Sequence, residues 1–76
     1  MKFKQYDVVK LKGWNVPPKA VEDQFNLRLP VVGDIAVIIE VYTEPPGYEL
    51  ECSDDAGITQ WLIAFQPPDI ELELIR

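Results

Sequence analysis

The chain has 76 residues, a net charge of −6 and 47% apolar residues, with a single cysteine and no histidine. A domain this small buries only about 60% of the surface its unfolded form exposes, and it lacks both the Cys pair for an internal disulfide and the Cys/His set for structural zinc. The composition excludes a disordered chain and a strongly basic one, and leaves association with another chain as the supplement to a marginal core.

Residues 6–12 (Tyr6-Asp7-Val8-Val9-Lys10-Leu11-Lys12) predict a first strand with Val9 and Leu11 on one face. Residues 13–32 have no sustained period of two and read as a long first loop. Ala20 to Phe25 suit one helical turn after Pro17-Pro18, with Val21 and Phe25 four apart. Trp14, Val16, Phe25, Leu27 and Leu29 predict that this loop packs down on the domain, since long loops in compact domains are functional or held by their own side chains.

The run from Val31 to Tyr42 is apolar on both alternating faces. Over residues 35–42 a plain strand would put Ile35, Val37, Ile39 and Val41 on one face and Ala36, Ile38, Glu40 and Tyr42 on the other. Glu44-Pro45-Pro46-Gly47 predicts a hairpin turn. Residues 48–52 alternate, with Tyr48, Leu50 and Cys52 inward and Glu49 and Glu51 outward. Ser53-Asp54-Asp55-Ala56-Gly57 is a second tight turn, and residues 58–65 are again apolar on both faces. Gln66-Pro67-Pro68-Asp69 breaks the strand pattern and suits a short helical turn. Residues 70–75 place Ile70, Leu72 and Leu74 inward and Glu71 and Glu73 outward.

Five short strands divided by turns predict a single all-β domain over 1–76, a small barrel or sandwich. The order Tyr6-Asp7-Val8-Val9-x-Leu11, then Leu29-Pro30-x-x-Gly33-Asp34-x-Ala36-x-Ile38-x-Glu40-Val41-Tyr42, Tyr48-Glu49-Leu50-Glu51 and Asp69-Ile70-Glu71 resembles a family of very small bacterial proteins. The resemblance implies a five-stranded SH3-like barrel, related in shape to KOW and Tudor modules. It covers most of the chain except the 13–28 loop and implies no particular activity. Proteins of this kind also occur as cargo of mobile gene cassettes. Ala36 stands where the family more often has glycine, and the first loop is longer.

Charge is segregated. Lys2, Lys4, Lys10, Lys12 and Lys19 precede residue 20, whereas nine acids and only Arg76 lie from Glu40 onward. An acidic domain is repelled by phosphate backbones, so a nucleic-acid partner is disfavoured. The remaining route is a KOW- or Tudor-like surface using Lys2, Lys4, Lys10 and Lys12 with Tyr6 or Trp14. Cross-strand pairing of Lys10 and Lys12 with Glu71 and Glu73 is the intramolecular reading. No signal-peptide pattern opens the chain and no apolar run approaches a membrane span, so a cytoplasmic protein with no membrane partner is expected.

Catalytic patterns are missing. Ser53, Thr43 and Thr59 have no partner of the required basicity, and Cys52 has no cationic neighbour in sequence and reads as core. Asp54-Asp55 beside Glu51 lacks the ligand spacing of a calcium loop and reads as a turn. Glu40 reads as a strand-rim carboxylate and the three Pro-Pro pairs as punctuation, because none has PxxP spacing. The sequence thus predicts no enzyme, no cofactor and no metal, and a protein acting through protein–protein contacts. With Leu62 and Ala64 inward, the second apolar face comprises Ile38, Tyr42, Trp61, Ile63 and Phe65. Three covers are open: an identical chain in a homo-oligomer, the 13–32 loop, or a foreign peptide or small apolar ligand.

Overall fold

A computed structural model of the chain describes residues 3–15 and 26–76. These residues are all-β apart from one 3₁₀ turn, Pro67–Asp69. The strands are β1 (Val8–Trp14), β2 (Ile35–Thr43), β3 (Pro46–Ser53), β4 (Thr59–Phe65) and β5 (Ile70–Leu74). They form one antiparallel sheet in the order β4-β3-β2-β1-β5, in which the end strands β4 and β5 are not paired with each other. The short helical turn expected before the last strand is the 3₁₀ turn. The expected helical turn at Ala20 to Phe25, and the packing of Val16 and Phe25, fall outside the described residues.

Turn chemistry sets the connections. The β2–β3 hairpin turns on Glu44 and Pro45, with Thr43 opposite Pro46 and a cis Glu44–Pro45 peptide. Gly47, expected in the turn, belongs to β3 and lies opposite Tyr42. Between β3 and β4 the Asp54 carboxylate accepts the Ala56 and Ile58 amides, both at 2.9 Å, while Gly57 takes the positive φ of 82° that a Cβ would strain.

The core is built from Val9, Leu11, Ala36, Ile38, Tyr48, Leu50, Cys52, Trp61, Phe65 and Ile70, closed at one side by Phe3. Edge-to-face contacts join Phe3 to Tyr48 at 5.8 Å and Trp61 to Phe65 at 6.2 Å. The inward faces of β1 and β3 are the expected ones. Those of β2 and β4 are reversed: Ala36 and Ile38 are buried while Ile35 is exposed, and Trp61 and Phe65 are buried while Ala64 is exposed.

The cause on β2 is a bulge. Ile38 pairs with Leu50 but Glu40 pairs with Glu49, so Ile39 is the additional residue. An extra residue shifts side-chain parity by one. Ala36 and Ile38 point inward before the bulge, and Val41, opposite buried Tyr48, packs on the core after it. Both parities of an apparently two-faced run therefore serve one core. The N-terminal segment supports the distortion: Gln5 Nε2 donates to the Ile39 carbonyl at 3.0 Å, and Ile38 exchanges backbone hydrogen bonds with Tyr6 and Asp7. On β5, Ile70 is buried and Leu72 half-buried, while Leu74 at the strand end stays exposed although it lies opposite Val9.

Trp61 is the largest fully buried side chain. Trp61→Ala is expected to destabilise by about 3–5 kcal/mol, the range for deleting a large buried aromatic, whereas Ala64→Ser on the outer face should fall within about 0.5 kcal/mol of the native protein. Urea denaturation of both variants measures this; equal effects would contradict the inward assignment.

Candidate functional site

The five residues expected to share an outward interface are separated by the fold. Ile38, Trp61 and Phe65 are buried core and Ile63 is partly buried against it, so β4 has no outward aromatic face. Tyr42 alone of the five remains on the surface, 40% exposed. The outward reading of the other four is thereby corrected. On β2 the bulge displaced the parity; on β4 an alternation of Trp61, Ile63 and Phe65 with Leu62 and Ala64 offers two choices, and the larger set faces in.

The choice on β4 is fixed by a partly buried polar contact. Trp61 Nε1 donates to Asp34 Oδ2 at 2.9 Å, across 27 residues of sequence. The same carboxylate accepts the Val31 amide at 3.0 Å and both terminal nitrogens of Arg28 at 2.8 and 3.1 Å, a two-point guanidinium–carboxylate pair. Gly33, with φ of 101°, makes the turn that returns the chain to Asp34. Leu11 is tied in through both backbone groups, accepting from Gly33 and donating to the Asp34 carbonyl. Burial pushes the Asp34 carboxyl upward, but hydrogen bonds from Arg28, Val31 and Trp61 and the Arg28 charge outweigh it and hold the group below the ordinary carboxylate range. The hydrogen bond to Asp34 raises Arg28 further despite the opposing effect of burial.

The segment held by this clamp covers part of the outer edge of β4. Leu27 and Arg28 amides donate to the Gln60 carbonyl, at 2.8 and 3.4 Å, and the Leu62 amide donates to Asn26 Oδ1 at 2.7 Å. Backbone groups that would otherwise offer an edge for strand addition are thus occupied. Residues 26–34 are thus tied to the domain by hydrogen bonds and Trp14 packs partly on the core, but the expected packing of Leu27 and Leu29 is corrected, since their side chains are exposed. Arg28 Nη2 also lies 3.8 Å from Cys52 Sγ. Burial and the nearby Asp34 charge push the Cys52 thiol up, against the lowering influence of Arg28, so the thiolate needed for nucleophilic chemistry is disfavoured.

Among the described residues three surfaces lie apart from this clamp, the third a groove of about 340 Å³ lined by Phe3, Tyr48, Pro67, Ile70, Glu71 and Leu72. The first is the outer face of β1 and β2 with the turn before it. Cα partners run Leu62–Glu51–Val37–Val8 across four strands, all half-buried, and Ile35 lies opposite Lys10. Ile35 is 46% exposed, and Leu29, Val31 and Val32 before it are also exposed, Val32 at 59%. The second is a groove of about 330 Å³ at the tip of the β2–β3 hairpin, walled by Tyr42, Pro45, Pro46 and Phe65.

The lysines are dispersed. Lys12 lies 3.7 Å from Glu73, and Lys10 is the cross-strand partner of Glu73, while Glu71 faces Gly13 instead of a lysine. Lys4 is exposed beside Tyr6, whose φ of 72° is held by a turn in which Asp7 accepts the Lys4 amide at 2.9 Å. Trp14 packs partly on the core, and Lys2 lies outside the described residues. Among the described residues no three carboxylate or sulfur ligands converge, and no helix is long and apolar enough to cross a membrane. No family model, curated protein or solved structure matches the chain.

Because Asp34 has its pKa lowered on folding, it stabilises above the unfolded carboxylate pKa, and that contribution is lost as pH falls below about 4 toward the folded value. Asp34→Ala is expected to cost about 2–3 kcal/mol, since it leaves the Trp61 and Val31 donors unpaired. It should also flatten the acid limb of stability and expose the Arg28–Leu29 bond to trypsin. Urea melts from pH 3 to 7 with timed tryptic digests check it; an unchanged acid limb would contradict the clamp.

Proposed function

We propose that the protein is a non-enzymatic interaction module that acts through protein–protein contacts and associates with copies of itself through the outer face of β1 and β2. The observation that carries this reading is the exposed set Leu29, Val31 and Val32 in the segment before β2 and Ile35 at its start, with half-buried Val37 and Val8 paired on the adjoining sheet. Exposed apolar side chains of this number are the kind of surface that a symmetric dimer covers. A core with eleven buried apolar residues among the described ones gives such burial a stabilising role. Cys52, whose pKa is raised by burial and the Asp34 charge, and a sequence without histidine favour binding over catalysis.

The SH3-like barrel belongs to the same reading. Placing β5 beside β1 and the three hairpin-connected strands on its other side is the strand order such a barrel requires, and core contributions from β1, β3, β4 and β5 favour a strongly curled sheet. A cytoplasmic setting suits a chain with one reduced, buried cysteine.

Light scattering on size-exclusion peaks is expected to give a dimer or larger species at tens of micromolar, roughly the range in which a standard-size interface is populated. Ile35→Glu places a carboxylate opposite Lys10 on an exposed position, so it should fold normally and elute as a monomer. A native protein that stays monomeric at about 100 μM, or an Ile35→Glu variant that associates as the parent does, would overturn the proposal.

A further inference from the structure

The hairpin groove has its own chemistry, independent of the β1–β2 face. Tyr42, Pro45, Pro46, Gly47 and Phe65 form apolar walls, with Ala64, Glu44 and Gln66 at the margins. Two small residues border it. Gly47 lies beside Tyr42 and the Phe65 backbone, where a Cβ would sit in ordinary contact, 3.4 Å from the Phe65 carbonyl oxygen and 3.6 Å from Tyr42 Cδ2. Ala64 is the cross-strand partner of Glu49, so no long side chain covers that carboxylate from β4. Pro45 and Pro46 fix their own φ angles, which limits adjustment of the wall on binding.

Charge lies next to the groove: Glu44 lines it, and Glu49 adjoins it through Tyr42 and Ala64. Glu40 and Glu49 are direct cross-strand partners, an arrangement of like charges that opposes folding unless something compensates it. Neither they nor Glu44 makes an ion pair among the described residues, where the ion pairs are Lys12–Glu73 and Arg28–Asp34. The Tyr42 hydroxyl donates to Glu49 Oε1 at 2.5 Å, which joins the aromatic wall to the carboxylate pair. That hydrogen bond, together with the charges of Glu49 and Glu40, raises the Tyr42 pKa, so the hydroxyl keeps the proton it donates to Glu49.

An aromatic and proline-lined groove of this volume accommodates about one long side chain and its neighbours, at the small end of ligand sites. A side chain with an apolar stem and a cationic head fits both halves, and a planar guanidinium serves best because it stacks on a ring while its N–H groups engage a carboxylate. We infer that the groove between the β2–β3 hairpin tip and the end of β4 is a docking site for an arginine-bearing peptide segment of a partner protein, its stem lying on Tyr42 and the prolines and its guanidinium reaching Glu49 and Glu40.

An ¹H–¹⁵N titration of the full chain with acetyl-Ala-Arg-Ala-amide, up to about 10 mM, tests this. The Gly47, Ala64 and Gln66 amides are expected to shift in a saturable, salt-sensitive manner, with a dissociation constant of about 1 mM. The neutral citrulline counterpart should bind at least about fivefold more weakly, and the Glu40→Gln/Glu49→Gln double variant should lose about fivefold for the arginine peptide. That variant removes a like-charge pair and should fold at least as stably as the parent, so loss of binding is separable from loss of structure. No shift at these amides, equal shifts with citrulline, or undiminished binding by the double variant would overturn the assignment. Concentration-dependent shifts of the same amides without peptide would also overturn it, by giving the groove to a second copy of the chain.

Discussion

The Asp34 carboxylate is the interaction on which the rest of the domain depends. It accepts from the Arg28 guanidinium, the Val31 amide and the Trp61 indole, and with a side chain only 11% exposed it has little water to replace any of them. Each bond fixes a different part of the molecule. Val31 closes the turn into β2, Arg28 holds the segment that caps β4, and Trp61 sets which face of β4 looks inward. A carboxylate so placed is favourable only while all its donors are present, because burial alone would drive it toward the neutral acid.

Much of this architecture is legible in the sequence. The five strands, the Asp54 turn, the 3₁₀ turn at Pro67–Asp69 and the inward sets Val9/Leu11 and Tyr48/Leu50/Cys52 follow from clean alternation and turn residues. Those strands carry acids or lysines on one parity, so only one choice of face is free of buried charge. On β2 and β4 both parities are apolar and alternation cannot decide. There the inward face depends on a bulge at Ile39 and on a hydrogen bond from Trp61 to a residue 27 positions away, neither of which has a local signature. Gly33-Asp34 before an apolar run does signal a turn, but nothing in its spacing points to the indole.

The candidate site was legible in the same uneven way. That β2 carries more apolar surface than one core needs is plain from the sequence, and the outer positions Ile35, Val37 and Ile39 retain that excess. On β4 a single inversion of parity moves Trp61 and Phe65 from surface to core. The groove has no local sequence signature, because its walls come from the 44–46 turn, Tyr42 and the end of β4, which meet only in the folded chain. Opposed Glu40 and Glu49 become visible only once the bulge sets the β2–β3 register.

Hydrogen exchange at the Trp61 indole tests the central claim most directly. With Nε1 bound to Asp34 and the side chain fully buried, its proton should exchange orders of magnitude more slowly than the free indole at neutral pH, and that protection should fall as acid protonates Asp34. An indole proton that exchanges at the free rate at pH 7, or whose protection is unaffected by Asp34→Asn, would contradict the account.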